Sequence, residues 1–118
     1  DLDPFFHWDL GSMEEMLQSG ARFDGNRSSN SRELDMDYSI LNGTFTHTLR
    51  LKVGDVLNID LKVDEGSLGA VIQQEDGTTI YQNENLETSQ FTLEIAQSGT
   101  YQVTITGLNT KGSILIEA

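Results

Sequence analysis

The chain has 118 residues, one proline, no cysteine and a formal charge of −12, from 19 acidic against 7 basic residues. That length supports a single hydrophobic core, and that charge repels nucleic-acid phosphates and anionic membrane surfaces. Without cysteine there is no disulfide, thiolate metal site, iron–sulfur cluster or cysteine nucleophile.

The first ten residues, DLDPFFHWDL, hold Phe5, Phe6 and Trp8 among acids. Clustered aromatics of this kind need burial, either in their own domain or in a partner. Ser12 and Glu15 form an S-x-x-E capping box, with Met13, Met16 and Leu17 at helical spacing and Gly20 placed to stop the turn. This predicts a short helix over residues 13–18. Gly11-Ser12-Met13 also reads as a junction, which would make the residues before Met13 an added peptide. The polar, aperiodic stretch from Gly20 to Arg32 is expected to be loop.

From Glu33 onward alternation takes over, placing every second side chain on one face of a sheet. Leu34, Met36, Tyr38 and Ile40 share one phase. Asn42-Gly43 then predicts a type I′ hairpin turn, followed by Phe45, His47, Leu49 and Leu51. Gly54-Asp55 marks the next turn, before Leu57, Ile59, Leu61 and Val63. Glu65-Gly66 is expected to break the chain ahead of Leu68, Ala70 and Ile72, and Asp76-Gly77 to make a second hairpin into Ile80 and Tyr81. After a polar connection come Phe91, Leu93 and Ile95, a Ser98-Gly99 turn, then Tyr101, Val103 and Ile105. Beyond Gly107–Gly112, Ile114 and Ile116 close the series. The expected fold is all-β: an antiparallel, jelly-roll-like β-sandwich of about eight strands (33–118), preceded by an N-terminal extension (1–32) with its short helix.

The chemistry available is sparse. His7 lies in the aromatic segment, and His47 falls on the apolar phase, where a hydrogen-bonded structural histidine is the common outcome. There is no G-x-S-x-G elbow, phosphate-cradling glycine loop or dinucleotide fingerprint, and no pair of acids stands out as a glycosidase dyad. The expectation is a non-enzymatic domain without a cofactor. Calcium is the one ion the acids suit, through Asp35, Asp37, Asp64 and Glu65, although no EF-hand-type loop is present. Tyr81 is the one sandwich tyrosine expected to face outward, where it could stack on a sugar, whereas Tyr38 and Tyr101 fall in the core phase.

TLRLKVGDVLNIDLKVDEGSLGAVI, the EDGTTIY hairpin and FTLEIAQSGTYQVTITGLNTKGSILI together resemble small β-sandwich domains of Gram-positive secreted proteins and lipoproteins. A weaker likeness is to Golgi-dynamics sandwich domains, whose cysteine pair is absent here. The resemblance implies an extracytoplasmic or cell-surface domain without catalytic residues. The function expected is therefore a binding or interaction module for a protein or glycan, with no nucleic acid and no membrane insertion. Phe5, Phe6 and Trp8 are its candidate contacts and a route to homo-oligomers. The alternatives are a structural spacer of a larger surface protein, or a weak calcium- or carbohydrate-binding domain.

Overall fold

The computed structural model describes residues 22–118. Six antiparallel strands form one sheet: β1 (Arg22–Asn30), β2 (Glu33–Leu51), β3 (Val56–Gln74), β4 (Thr79–Asn83), β5 (Ser89–Glu94) and β6 (Gly99–Glu117). Their order is β1-β2-β6-β3-β4, with β5 also paired to β3. At 19 residues each, β2, β3 and β6 are long enough to serve several neighbours. Thus β3 pairs β5 along Val56–Leu61 and β4 along Ala70–Gln73.

These long strands revise the expected turns. Asn42-Gly43 and Glu65-Gly66 do not reverse the chain, and Gly107–Gly112 lies within a strand. All three are irregularities at one level of the sheet. Register shifts fall between Tyr38 and Gly43 on β2 and between Val63 and Ser67 on β3, both opposite the 107–112 stretch of β6. A bulge inserts extra residues into one strand and bends it, so the glycines that suit a turn also suit this site. Gly66 has φ +76°, and a Cβ there would strike the Leu108 and Asn109 carbonyls.

The bulges also explain a change of phase. Before them the buried side chains are even-numbered on β2 (Leu34, Met36, Tyr38) and odd on β3 (Leu57, Ile59, Leu61). After them they are odd on β2 (Phe45, Leu49, Leu51) and even on β3 (Leu68, Ala70, Ile72). On β6, Tyr101, Val103 and Ile105 give way to Ile114 and Ile116 in the same manner. Because side chains alternate strictly, an uncompensated strand would turn its second half outward, and the irregularities correct this in all three strands. One core gathers residues from both sides of the bulge level, including Leu34, Met36, Leu49, Leu57, Ile72, Tyr101 and Ile114.

The expected strands on either side of each bulge level are therefore fused. A further strand, β1, occupies most of the stretch expected to be loop. It pairs with β2 from Arg22↔Asn42 to Asn30↔Glu33, and the chain reverses at Ser31-Arg32. Its only apolar side chain, Phe23, packs 5.3 Å from Phe45 and 6.5 Å from Tyr38. The expected turns at Gly54-Asp55, Asp76-Gly77 and Ser98-Gly99 do separate strands. The helix expected over 13–18 lies outside the described residues.

Candidate binding cleft

Among the described residues none of β1 lies beside β2 beyond Asn42, and Gly43–Leu51 pairs with β6 on its other side. Three contacts mark the direction of its open edge. The Arg50 N–H donates to the Ser31 carbonyl at 2.7 Å. Arg32 Nη1 donates to the Arg50 carbonyl at 3.3 Å, and Arg27 Nη2 to the Thr46 carbonyl at 3.5 Å. In a regular antiparallel strand, alternate residues direct both N–H and C=O to the same side. Thr46, Thr48 and Arg50 therefore aim their backbone groups away from β6.

Between this edge and the end of β1 lies a cleft of about 460 Å³, lined by Arg27, Ser29, Asn30, Ser31 and the stretch from Thr46 to Thr48, with Arg50 at its end. Arg27 arches over the Phe45 ring, 5.5 Å from its centroid, where the ring quadrupole favours a cation. His47 Nε2 lies 2.7 Å from the Asn30 carbonyl, an acceptor, so Nε2 carries the proton and donates. Asp55 holds the Arg32 guanidinium at 3.1 Å at the mouth of the β1–β2 turn. Its carboxyl is held below the usual carboxylate range, first by the Lys52 backbone N–H and then by Arg32.

Among the described residues no carboxylate lines the cleft. All four arginines of the protein lie between residues 22 and 50. The described lining thus carries guanidinium groups, hydroxyls and an amide, groups of the kind that recognise carboxylate, phosphate or sulfate.

The residues singled out in the sequence lie elsewhere. Phe5, Phe6 and Trp8 are outside the described residues. Tyr81 is half-buried with its ring 5.1 Å from Phe91, tilted by 34°, so it packs against the core instead of standing as an open platform. Asp35 and Asp37 are exposed on β2 as expected, and Asp37 accepts a hydrogen bond from Asn26 at 3.2 Å. Asp64 and Glu65 sit at the bulge of β3, with Lys62 4.0 Å from Asp64. Among the described residues, no three acidic or histidine side chains are gathered as a metal would require. The sequence reading missed Arg27 because β1 was expected to be loop, and Arg50 because it stands on the exposed phase of β2. The clustering of the arginines was the available signal.

No family model and no curated protein matches the chain. Among solved structures it is similar to a cupin domain from Bordetella pertussis, with 10% identity and a TM-score of 0.42, over 81% of this chain and 94% of that one. It is also similar to part of a family GH115 4-O-methyl-α-glucuronidase with specificity for decorated arabinogalactans, with 13% identity and a TM-score of 0.34. There the match covers 84% of this chain and spans 16% of the enzyme. Likeness at this level assigns no activity.

Proposed function

We propose that this chain is a non-enzymatic binding domain, working outside the cytoplasm, that takes an anionic group in the cleft between β1 and the edge of β2. The observation that carries the reading is the composition of that cleft: its described lining holds two arginines, a histidine and four hydroxyl side chains, in a protein of charge −12. Arginine forks match the planar, bidentate geometry of carboxylates and phosphates, and their pairing is strengthened where the ligand is partly desolvated. His47 donates to the Asn30 main-chain carbonyl, the hydrogen bond of a structural histidine.

The same proposal takes the sheet as folded across its bulge level into a jelly-roll-like sandwich. Supporting this are the core shared by both halves of β2, β3 and β6 and the 22 Å thickness of the molecule. Two stacked sheets stand about 10 Å apart, and twist adds to that spacing. β1 then runs along the open side of the sandwich, which makes the cleft an entrance at its rim.

Titrating acetate, inorganic phosphate and sulfate into the full chain, followed by amide chemical shifts, tests the binding reading. The shifts should concentrate in Ser29–Ser31 and Thr46–Arg50, and Arg27→Gln with Arg50→Gln should abolish them. Shifts scattered over the surface, or indifferent to those substitutions, overturn it.

A further inference from the structure

A second depression is built on β3 and β6, and a glycine forms its floor. Antiparallel register sets Ser67 beside Leu108, Gly69 beside Thr106 and Val71 beside Thr104. Leu68 and Ile105, which alternate with them, are buried in the core, so these pairs lie on the opposite face of the sheet. After β4 the chain is tied back against this face. The Leu86 N–H donates to the Leu68 carbonyl at 2.8 Å, and the Asn85 N–H donates to Asn83 Oδ1 at 2.9 Å. Residues 83–85 thereby form a wall beside Gly69, where a Cβ would stand 3.3 Å from the Glu84 Cα and 3.4 Å from the Asn83 carbonyl oxygen. A glycine inside a strand often marks such a close approach of another backbone. Between this wall and β6 lies a depression of about 360 Å³, a volume within the range of small-molecule sites.

Its lining combines two kinds of group. Ser67, Thr104 and Thr106 bring hydroxyls, and Asn83 and Asn85 bring amides, beside the apolar Val71 and Leu108. Hydroxyls and amides both donate and accept, which matches a ligand whose own groups do both, as sugar hydroxyls do. The C–H face of a sugar ring suits the apolar side chains. Glu84 in the wall accepts from hydroxyls and repels anions, and residues 53–118, which supply the described lining, carry ten acids against two lysines. We propose that this depression binds a neutral saccharide, one ring seated over Gly69, its hydroxyls paired by Thr104, Thr106 and Asn83 and its C–H face on Leu108. Its described lining shares no residue with the cleft between β1 and β2, so the two sites stand or fall separately.

The probes are glucose, galactose, xylose and N-acetylglucosamine, titrated into the full chain at millimolar concentrations and followed by amide chemical shifts. At least one should give saturable shifts concentrated in residues 67–71, 83–85 and 104–108. Glucuronate, the anionic counterpart of glucose, should bind at least tenfold more weakly than the best neutral sugar. Gly69→Ala puts a methyl group on the floor and should weaken the sugar at least tenfold, with a thermal melt to check that the variant folds. Two further variants leave the core alone. Leu108 is 61% exposed, so Leu108→Ala removes apolar contact from the ligand and not from the fold, while Thr104→Val replaces a hydroxyl by a methyl of the same shape. Each should weaken the sugar severalfold at an unchanged melting temperature. Phosphate shifts in the cleft between β1 and β2 should be the same in all three variants. If none of the four sugars gives saturable shifts at these residues, or if binding survives all three substitutions, the site is overturned. Glucuronate binding as tightly as the neutral sugars overturns the assigned ligand class.

Discussion

Two hydroxyls inside the core have no hydrogen-bond partner among the described residues, those of Tyr38 and Thr110. Both belong to the bulge level, Tyr38 opposite Gly112 and Thr110 opposite Leu41. There, shifted register takes backbone groups out of the ladder. An unsatisfied buried hydroxyl costs roughly 1–3 kcal/mol of desolvation, whereas an apolar group of the same shape does not. Tyr38→Phe and Thr110→Val are therefore each expected to stabilise the fold by about 1 kcal/mol, read as a higher urea midpoint at unchanged slope. Burial also raises the Tyr38 hydroxyl above its ordinary value of 10.0. The unfolded chain then ionises first, so this contribution to stability is complete below pH 10.0 and is lost as pH rises beyond it. Tyr38→Phe should remove that alkaline loss. Asp55 has the opposite sign. Its pKa is depressed below 3.8, so its contribution is present above that pH and disappears as pH falls through the folded value, and Asp55→Asn should flatten the acid limb of stability against pH.

At the scale of the strand, the bulge level is the feature on which the fold depends. A Cβ on Gly112 would collide with the Lys62 carbonyl on the neighbouring strand, at φ +152°. Gly112→Ala should thus cost about 3 kcal/mol, from backbone strain and from forcing β6 off β3. Gly77, at φ +94° in the β3–β4 turn, has open space around its missing Cβ, so Gly77→Ala should cost only about 1 kcal/mol of local strain. Comparing the two by thermal melting separates collision from conformation.

These glycines also show what the sequence could reveal. The alternating apolar residues identified most of the core between Leu34 and Ile116, because burial of one face leaves a period of two in the chain itself, but Ile40 is only half-buried while Leu41, shifted by the bulge, and Leu86, in the expected polar connection, are buried. Whether Asn42-Gly43 reverses the chain or bends it is not a local property. Both uses exploit a positive φ, and the choice depends on β6, about 60 residues away, continuing past it. β1 escaped for a related reason: as an outer strand it buries only part of one face, so Phe23 is followed by Gly25, Arg27 and Ser29 where a core strand would carry aliphatic residues. The cleft was hidden with it, although the arginines that line it were in plain view.

For the whole molecule, charge is divided unevenly along the chain. Residues 22–52 carry five of the seven cations and a net charge of +1, while residues 53–118 carry −8 and residues 1–21 carry −5. The cationic portion supplies both walls of the cleft, and most of the rest of the surface repels itself. Salt acts on these two features in opposite directions. At about 0.15 M ionic strength the screening length is ~8 Å, against ~30 Å at about 0.01 M. Over that range, acidic groups spread across a molecule 38 Å in its longest dimension stop repelling one another, so the melting temperature should rise. The same screening weakens the attraction of an anion for Arg27 and Arg50, so phosphate affinity should fall. A neutral salt series followed in parallel by thermal melting and by titration checks both slopes. Replacing Arg50 alone by Gln should reduce the salt dependence of binding while leaving that of melting, since the repelling acids lie on other parts of the chain. If the two slopes instead rise or fall together, the cleft is not an electrostatic site set apart from the acidic surface, and the anion-binding assignment fails on that measurement.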